Sequence, residues 1–117
     1  MNLKENDKIL KISKSLKKGM IEYIEPGESE YTASDVEKCM ILINNFLDKV
    51  SKSESKESGM LLVKNVVLDL NNLNENCDYE LIETGQREQI AEIIILAGHL
   101  KGYNDINEDI TEEWRDW

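Results

Sequence analysis

Apolar residues recur along this chain in steps of three and four, the spacing of one face of an α-helix. From Leu3 to about Ile24 the stripe runs through Ile9, Ile12, Leu16, Met20 and Tyr23 or Ile24, with lysines spread over the other side. This predicts a first helix, weakened by Gly19 and stopped at Pro26-Gly27, because proline disfavours helical geometry in the residue before it. After a polar loop from Glu28 to Tyr31, Thr32 or Ser34 can cap a second helix reaching about Ser51, with Ser34 and Glu37 as a capping box. Val36, Cys39, Met40, Ile43, Phe46, Leu47 and Val50 mark its inner face, and Ile41 and Leu42 widen it.

The run from Ser51 to Ser58 holds no apolar residue and reads as a solvated, mobile connection or as the frayed ends of two helices. A third helix is expected from Gly59 or Met60 to about Asn76, on Val63, Val66, Val67, Leu70 and Leu73. Its tail of Asn71, Asn72, Asn74 and Asn76 suits a C-terminus, since asparagine tolerates left-handed backbone. Thr84 can cap a fourth helix whose face is Ile90, Ile93, Ile94, Ala97 and Leu100, ending at Gly102. The unbroken apolar run from Ile93 to Ala97 demands burial on more than one side, which makes helices two and four the expected centre of the bundle. Asp109 can then cap a short amphipathic turn carrying Ile106, Ile110, Trp114 and Trp117. No repeat and no break in composition divides residues 1–117. The expectation is an all-α, single four-helix bundle-like domain with a short C-terminal helical turn.

Composition sharpens this picture. At 117 residues, one core suffices, and with aromatics at only 6% it must be built from aliphatic side chains on regular elements. Cys39 and Cys77 each fall in an apolar stretch and form no close pair, so they read as reduced core residues rather than a disulfide. Neither a signal pattern nor a run of about 18 apolar residues is present. A cytoplasmic location is the corresponding expectation.

Net charge is −10, unevenly placed: residues 1–20 hold six lysines against Glu5 and Asp7, leaving −14 on the rest. Such a field repels nucleic acid and anionic membrane and favours basic partners. The lysine face of helix one lacks interleaved aromatics, so direct nucleic-acid binding is not suggested. Its natural counterpart is the acidic remainder, within one molecule or in a homodimer.

The chemistry-bearing residues are sparse. His99 is the only histidine, and a di-metal Glu-x-x-His pair would need Glu where Leu96 stands. Asp105, Asn107 and Asp109 match the start of a calcium loop, but Ile110 occupies the place of its obligatory glycine. Gly85-Gln86-Arg87 offers one glycine and one arginine, a poor phosphate cradle. Glu88 and Glu92, one turn apart, read as a wet helix face rather than an acid-base pair. No enzyme, metal or cofactor is therefore expected.

What remains is an acidic end. From Tyr103 to Trp117 lie Asp105, Glu108, Asp109, Glu112, Glu113 and Asp116 against Arg115, with Tyr103, Trp114 and Trp117 among them. Aromatic anchors ringed by charge are how protein-binding surfaces concentrate energy; the competing reading buries both tryptophans in the bundle. The expected partner-binding set is Glu88, Glu92, Tyr103, Asp105, Glu108, Glu112, Glu113, Trp114, Asp116 and Trp117.

The stretches Cys77-Asp78-Tyr79-Glu80-Leu81-Ile82-Glu83-Thr84 and Asp109-Ile110-Thr111-Glu112-Glu113-Trp114 resemble small acidic bacterial immunity proteins encoded beside polymorphic toxins. The resemblance implies a non-enzymatic inhibitor that binds and occludes a basic toxin domain, and it assigns no individual binding residue. The alternatives are a phage-type DNA mimic or anti-defence inhibitor, and a self-assembling structural protein.

Overall fold

The computed structural model describes residues 2–24, 27 and 29–117. Their regular elements are a short 3-10 turn, Leu3–Glu5, and four helices: α1 (Asp7–Ile24), α2 (Ala33–Ser51), α3 (Lys56–Asn76) and α4 (Thr84–Leu100). No strand occurs among the described residues. The fold is all-α, as the periodicity predicts, with Ile9, Leu16, Val36, Ile43, Leu70, Ile90 and Ile94 essentially inaccessible to solvent in one continuous aliphatic cluster. Each such side chain contributes roughly 1.5–3 kcal/mol when fully buried.

The ends of the helices depart from expectation in instructive ways. The first helix does not begin at Leu3. Asn6 is extended, and its side chain accepts from the amides of Lys8 and Ile9 at 3.1 Å, capping α1 one turn later. Leu3 is buried instead, with its amide donating to Ser51 Oγ at 3.0 Å. The Pro26 stop and Glu28 lie outside the described residues; Gly27 has φ +78° and donates to the Ile24 carbonyl at 2.9 Å. The box of α2 is built two residues before Ser34: Thr32 is the cap, and the Asp35 carboxylate accepts from the Thr32 amide at 3.0 Å.

The polar run from Ser51 to Ser58 is not a free connection. Ser55 caps α3 by accepting from the Ser58 amide at 3.1 Å, so the helix starts at Lys56, a turn earlier than its apolar pattern. Ser53 Oγ donates to the Val50 carbonyl at 2.6 Å and lies 2.8 Å from the Tyr103 hydroxyl, which leaves the tyrosine as donor. At the far end of α3 the left-handed residues are Asp78 (φ 55°) and Tyr79 (φ 62°), not the asparagines. Buried Asn74 accepts from the Ile82 amide at 3.0 Å, turning the chain back toward α4.

Glu83, rather than Thr84, occupies the cap position before α4, and its side chain makes no capping bond. The other end is as expected: Gly102 takes φ +79°, its amide donates to the His99 carbonyl at 2.9 Å, and the Tyr103 amide reaches the Gly98 carbonyl at 2.9 Å. This is the pair of bonds that closes a helix through a left-handed glycine.

Packing runs from neighbour to neighbour. α1 lies closest to α4 and α2, and α2 closest to α3, whereas α3 and α4 have few close backbone approaches. α2 and α4 are among the most buried helices, as expected, though α3 is comparably buried and α2 and α4 have few close backbone approaches to each other; the second side of α4 is covered by the segment after Gly102. That segment forms turns rather than a helix. The free thiols of Cys39 and Cys77 are both buried, and burial chiefly pushes them up, to about 12 and about 11. Tyr31 ties α2 to α1 by donating to the Met20 carbonyl at 2.7 Å; burial raises its phenol to about 12.

Candidate functional site

The segment from Tyr103 to Trp117 enters the seam between α3 and α4 through two glycines. A Cβ at Gly59 would lie 2.5 Å from two ring carbons of Tyr103, and one at Gly98 would overlap the Asn104 amide oxygen and crowd Ile110 at 3.3 Å. Each helix thus offers a notch, and consecutive residues fill them. Asn104 Nδ2 donates to the carbonyls of Ile95 and Asp105 at 3.2 and 3.0 Å, and His99 Nδ1 lies 3.0 Å from the Asn104 carbonyl. Asn71 of α3 holds the other end, donating to the Trp114 carbonyl at 2.7 Å and accepting from the Asp116 amide at 3.1 Å.

Asp109 organises the middle. Its Oδ1 accepts from the Thr111 hydroxyl at 2.6 Å and the Thr111 amide at 3.0 Å, and its Oδ2 takes Arg115 at 3.0 Å. Burial alone would raise this carboxyl, but the bonds from Thr111 and the Arg115 guanidinium outweigh it and hold it below the usual range. Asp109 therefore caps the turn that begins at Ile110, as expected, and it faces Thr111 and Arg115 where a calcium loop would need it free. Arg115 also lies over the Trp117 ring, 5.6 Å from its centroid. Among the described residues no three His, Cys, Asp or Glu side chains gather in a way that could hold a metal ion.

The ten residues expected to bind a partner separate into three groups. Tyr103 faces inward, 9% exposed and fixed against Gly59, so it is a structural plug and not an exposed anchor. Trp114 and Trp117 are half-buried against the core, with the indole N–H of Trp117 enclosed and unpartnered. Glu88, Glu92, Asp105, Glu108, Glu112, Glu113 and Asp116 are all exposed. Glu88 and Glu92 on α4 border a cleft whose opposite wall includes Ile106 and Asp109, so the helix and the segment after it share one face.

Several cations of α1 are engaged away from the C-terminal segment. Lys4 pairs with Asp48 at 3.1 Å, Lys17 with Glu37 at 3.6 Å and Lys8 with Glu92 at 4.0 Å, so the basic face of α1 is partly met within the same molecule. These pairs are solvent-exposed, and exposed pairs add only ~0–1 kcal/mol each; among the C-terminal acids only Asp109 makes an ion pair within the described residues.

Two features escaped the reading by periodicity. One is the pair of glycine notches. The other is that Arg87 and Arg115, the only arginines in the chain, line the same cleft; their rarity in a lysine-dominated set of cations was the available signal. No protein-family model matches the chain, and neither a characterised protein nor a solved structure is detectably similar to it. No helix among the described residues is long and apolar enough to cross a membrane.

Proposed function

We propose that this chain is a non-enzymatic, acidic inhibitor of a basic protein partner, acting in the cytoplasm in the manner of bacterial immunity proteins that neutralise toxin domains. The observation that carries this reading is the concentration of exposed, unneutralised carboxylates at Glu108, Glu112, Glu113 and Asp116 on a segment clamped into the body of the bundle. Held charge serves association better than charge on a free tail, because a rigid face loses little entropy on docking and steers the encounter. The rings of Trp114 and Trp117, each partly exposed beside these acids, supply apolar contact at its centre.

Capture with tagged full chain at low and moderate salt tests this directly. One basic protein should be retained, with affinity falling as salt rises. The combined variant Glu112→Gln, Glu113→Gln, Asp116→Asn should weaken binding to that protein by about tenfold or more. Unchanged affinity would overturn the surface assignment, and recovery of only further copies of the chain would favour the self-assembling alternative.

A further inference from the structure

We propose that the cleft between α4 and the segment after it is a binding site for a small apolar carboxylate. It encloses about 380 Å³, at the lower end of the range of roughly 300–1,000 Å³ for small-ligand sites. Ala91, Ile95 and Ile106 give it an apolar lining, and Lys8, Arg87 and Arg115 bring three cations to it. In a chain of net charge −10 with only two arginines, both converge here from positions 28 residues apart in sequence. A planar guanidinium beside an apolar wall matches a carboxylate on an apolar body, since it binds the two oxygens together and tolerates partial desolvation better than an ammonium.

The acids at the same cleft decide which cation is available. Asp109 is taken by Arg115 and Thr111, and Glu92 lies nearest Lys8, at 4.0 Å. Arg87 makes no ion pair among the described residues and is half-buried, so it is the group positioned to receive the ligand's carboxylate, while Arg115, on the same cleft, is held by Asp109 and Trp117. Glu88, unpaired at the rim, opposes a second negative charge, which restricts the ligand to a monoanion. Ile106, 46% exposed, is the apolar side chain left open for the ligand's body.

The probe is phenylbutyrate, titrated into the isotope-labelled full chain and followed by amide NMR, with phenylbutyramide as its uncharged match. The acid is expected to give saturable shifts centred on Arg87, Ala91, Ile95 and Ile106, and the amide to bind at least about tenfold more weakly. Arg87→Gln should abolish that discrimination, Ile106→Ser should weaken both probes, and Glu88→Gln should tighten the acid. All three positions are accessible, and an unchanged melting curve for each variant separates loss of ligand from loss of fold. Shifts that never saturate, equal binding of acid and amide, or an Arg87→Gln variant that still prefers the acid would each overturn the site. So would a response confined to a peptide ending in leucine, which would mark a seat for a chain end instead. Glu112, Glu113 and Asp116 play no part in this test, so its failure would leave the inhibitor reading standing.

Discussion

α4 is covered on one side by α1 and on the other by the segment from Tyr103 to Asp116, and the two sides are made by different physics. It meets α1 through the aliphatic core to which both helices contribute, including Ile9, Leu16, Ile90 and Ile94, with one side-chain hydrogen bond, Gln89 Nε2 to Ser15 Oγ at 2.9 Å, and the exposed Lys8–Glu92 pair at 4.0 Å among the described residues. Against the segment it presents a bare glycine, and the bonding falls to individual amides: Asn104 to the Ile95 carbonyl, and Asn71 from α3 to the backbone at Trp114 and Asp116. The first kind of interface depends on summed apolar area and degrades gradually. The second depends on a few exact fits, so single substitutions there should act on one region and spare the rest.

The contrast is broken most severely from the aliphatic side. Leu16→Ala, at a fully buried position, is expected to lower stability by about 2–5 kcal/mol with the transition still cooperative in urea. Next come the notches. Gly59→Ala and Gly98→Ala should each cost ~1–3 kcal/mol from overpacking although alanine is the better helix former, whereas Gly85→Ala, with nothing within 4 Å of the new methyl, should be neutral or stabilise by up to ~1 kcal/mol. Equal effects at the three glycines would contradict the notch geometry.

Asn71→Ala removes both clamps on the segment's end. Roughly 1–2 kcal/mol is expected, together with a red shift of tryptophan emission at denaturant concentrations where helical circular dichroism is still native. The smallest effect is that of Asp109. Its carboxyl titrates below the ordinary value of 3.8, so the ionised form stabilises the native state above that value, and the contribution fades as pH falls through the depressed native value. Asp109→Asn should flatten this part of the acid-unfolding profile, lowering stability modestly at neutral pH and leaving it little changed below the depressed native value.

The helices were legible because burial writes itself into sequence as a period: Val36 to Val50 and Ile90 to Leu100 repeat at three and four whatever they face. Their partners were less so, since an apolar stripe states that a side is covered and not by what; the run from Ile93 to Ala97 announced burial on more than one side of α4 but not that the segment after Gly102 supplies part of it. Asparagine misled for a related reason. At Asn71 and Asn74 the side chain bonds distant backbone rather than easing a local turn, and no spacing distinguishes the two uses. Of the candidate surface, the exposed acids were readable from charge alone, but Tyr103 was not, because its place depends on a missing side chain at position 59, far off in sequence. Arg87 read as an isolated cation until the fold brought Arg115 to the same cleft.

The order of synthesis gives the seam a further meaning. Residues 103–116 leave the ribosome after all four helices, so a nascent chain can pair α1 with α2 and α2 with α3 while the notches at Gly59 and Gly98 stand empty. Acid display and closure of the bundle then arrive together: the carboxylates of the proposed partner-binding face take up their fixed positions only when Tyr103 and Asn104 have been seated, and a chain that has not finished folding does not yet present the complete face.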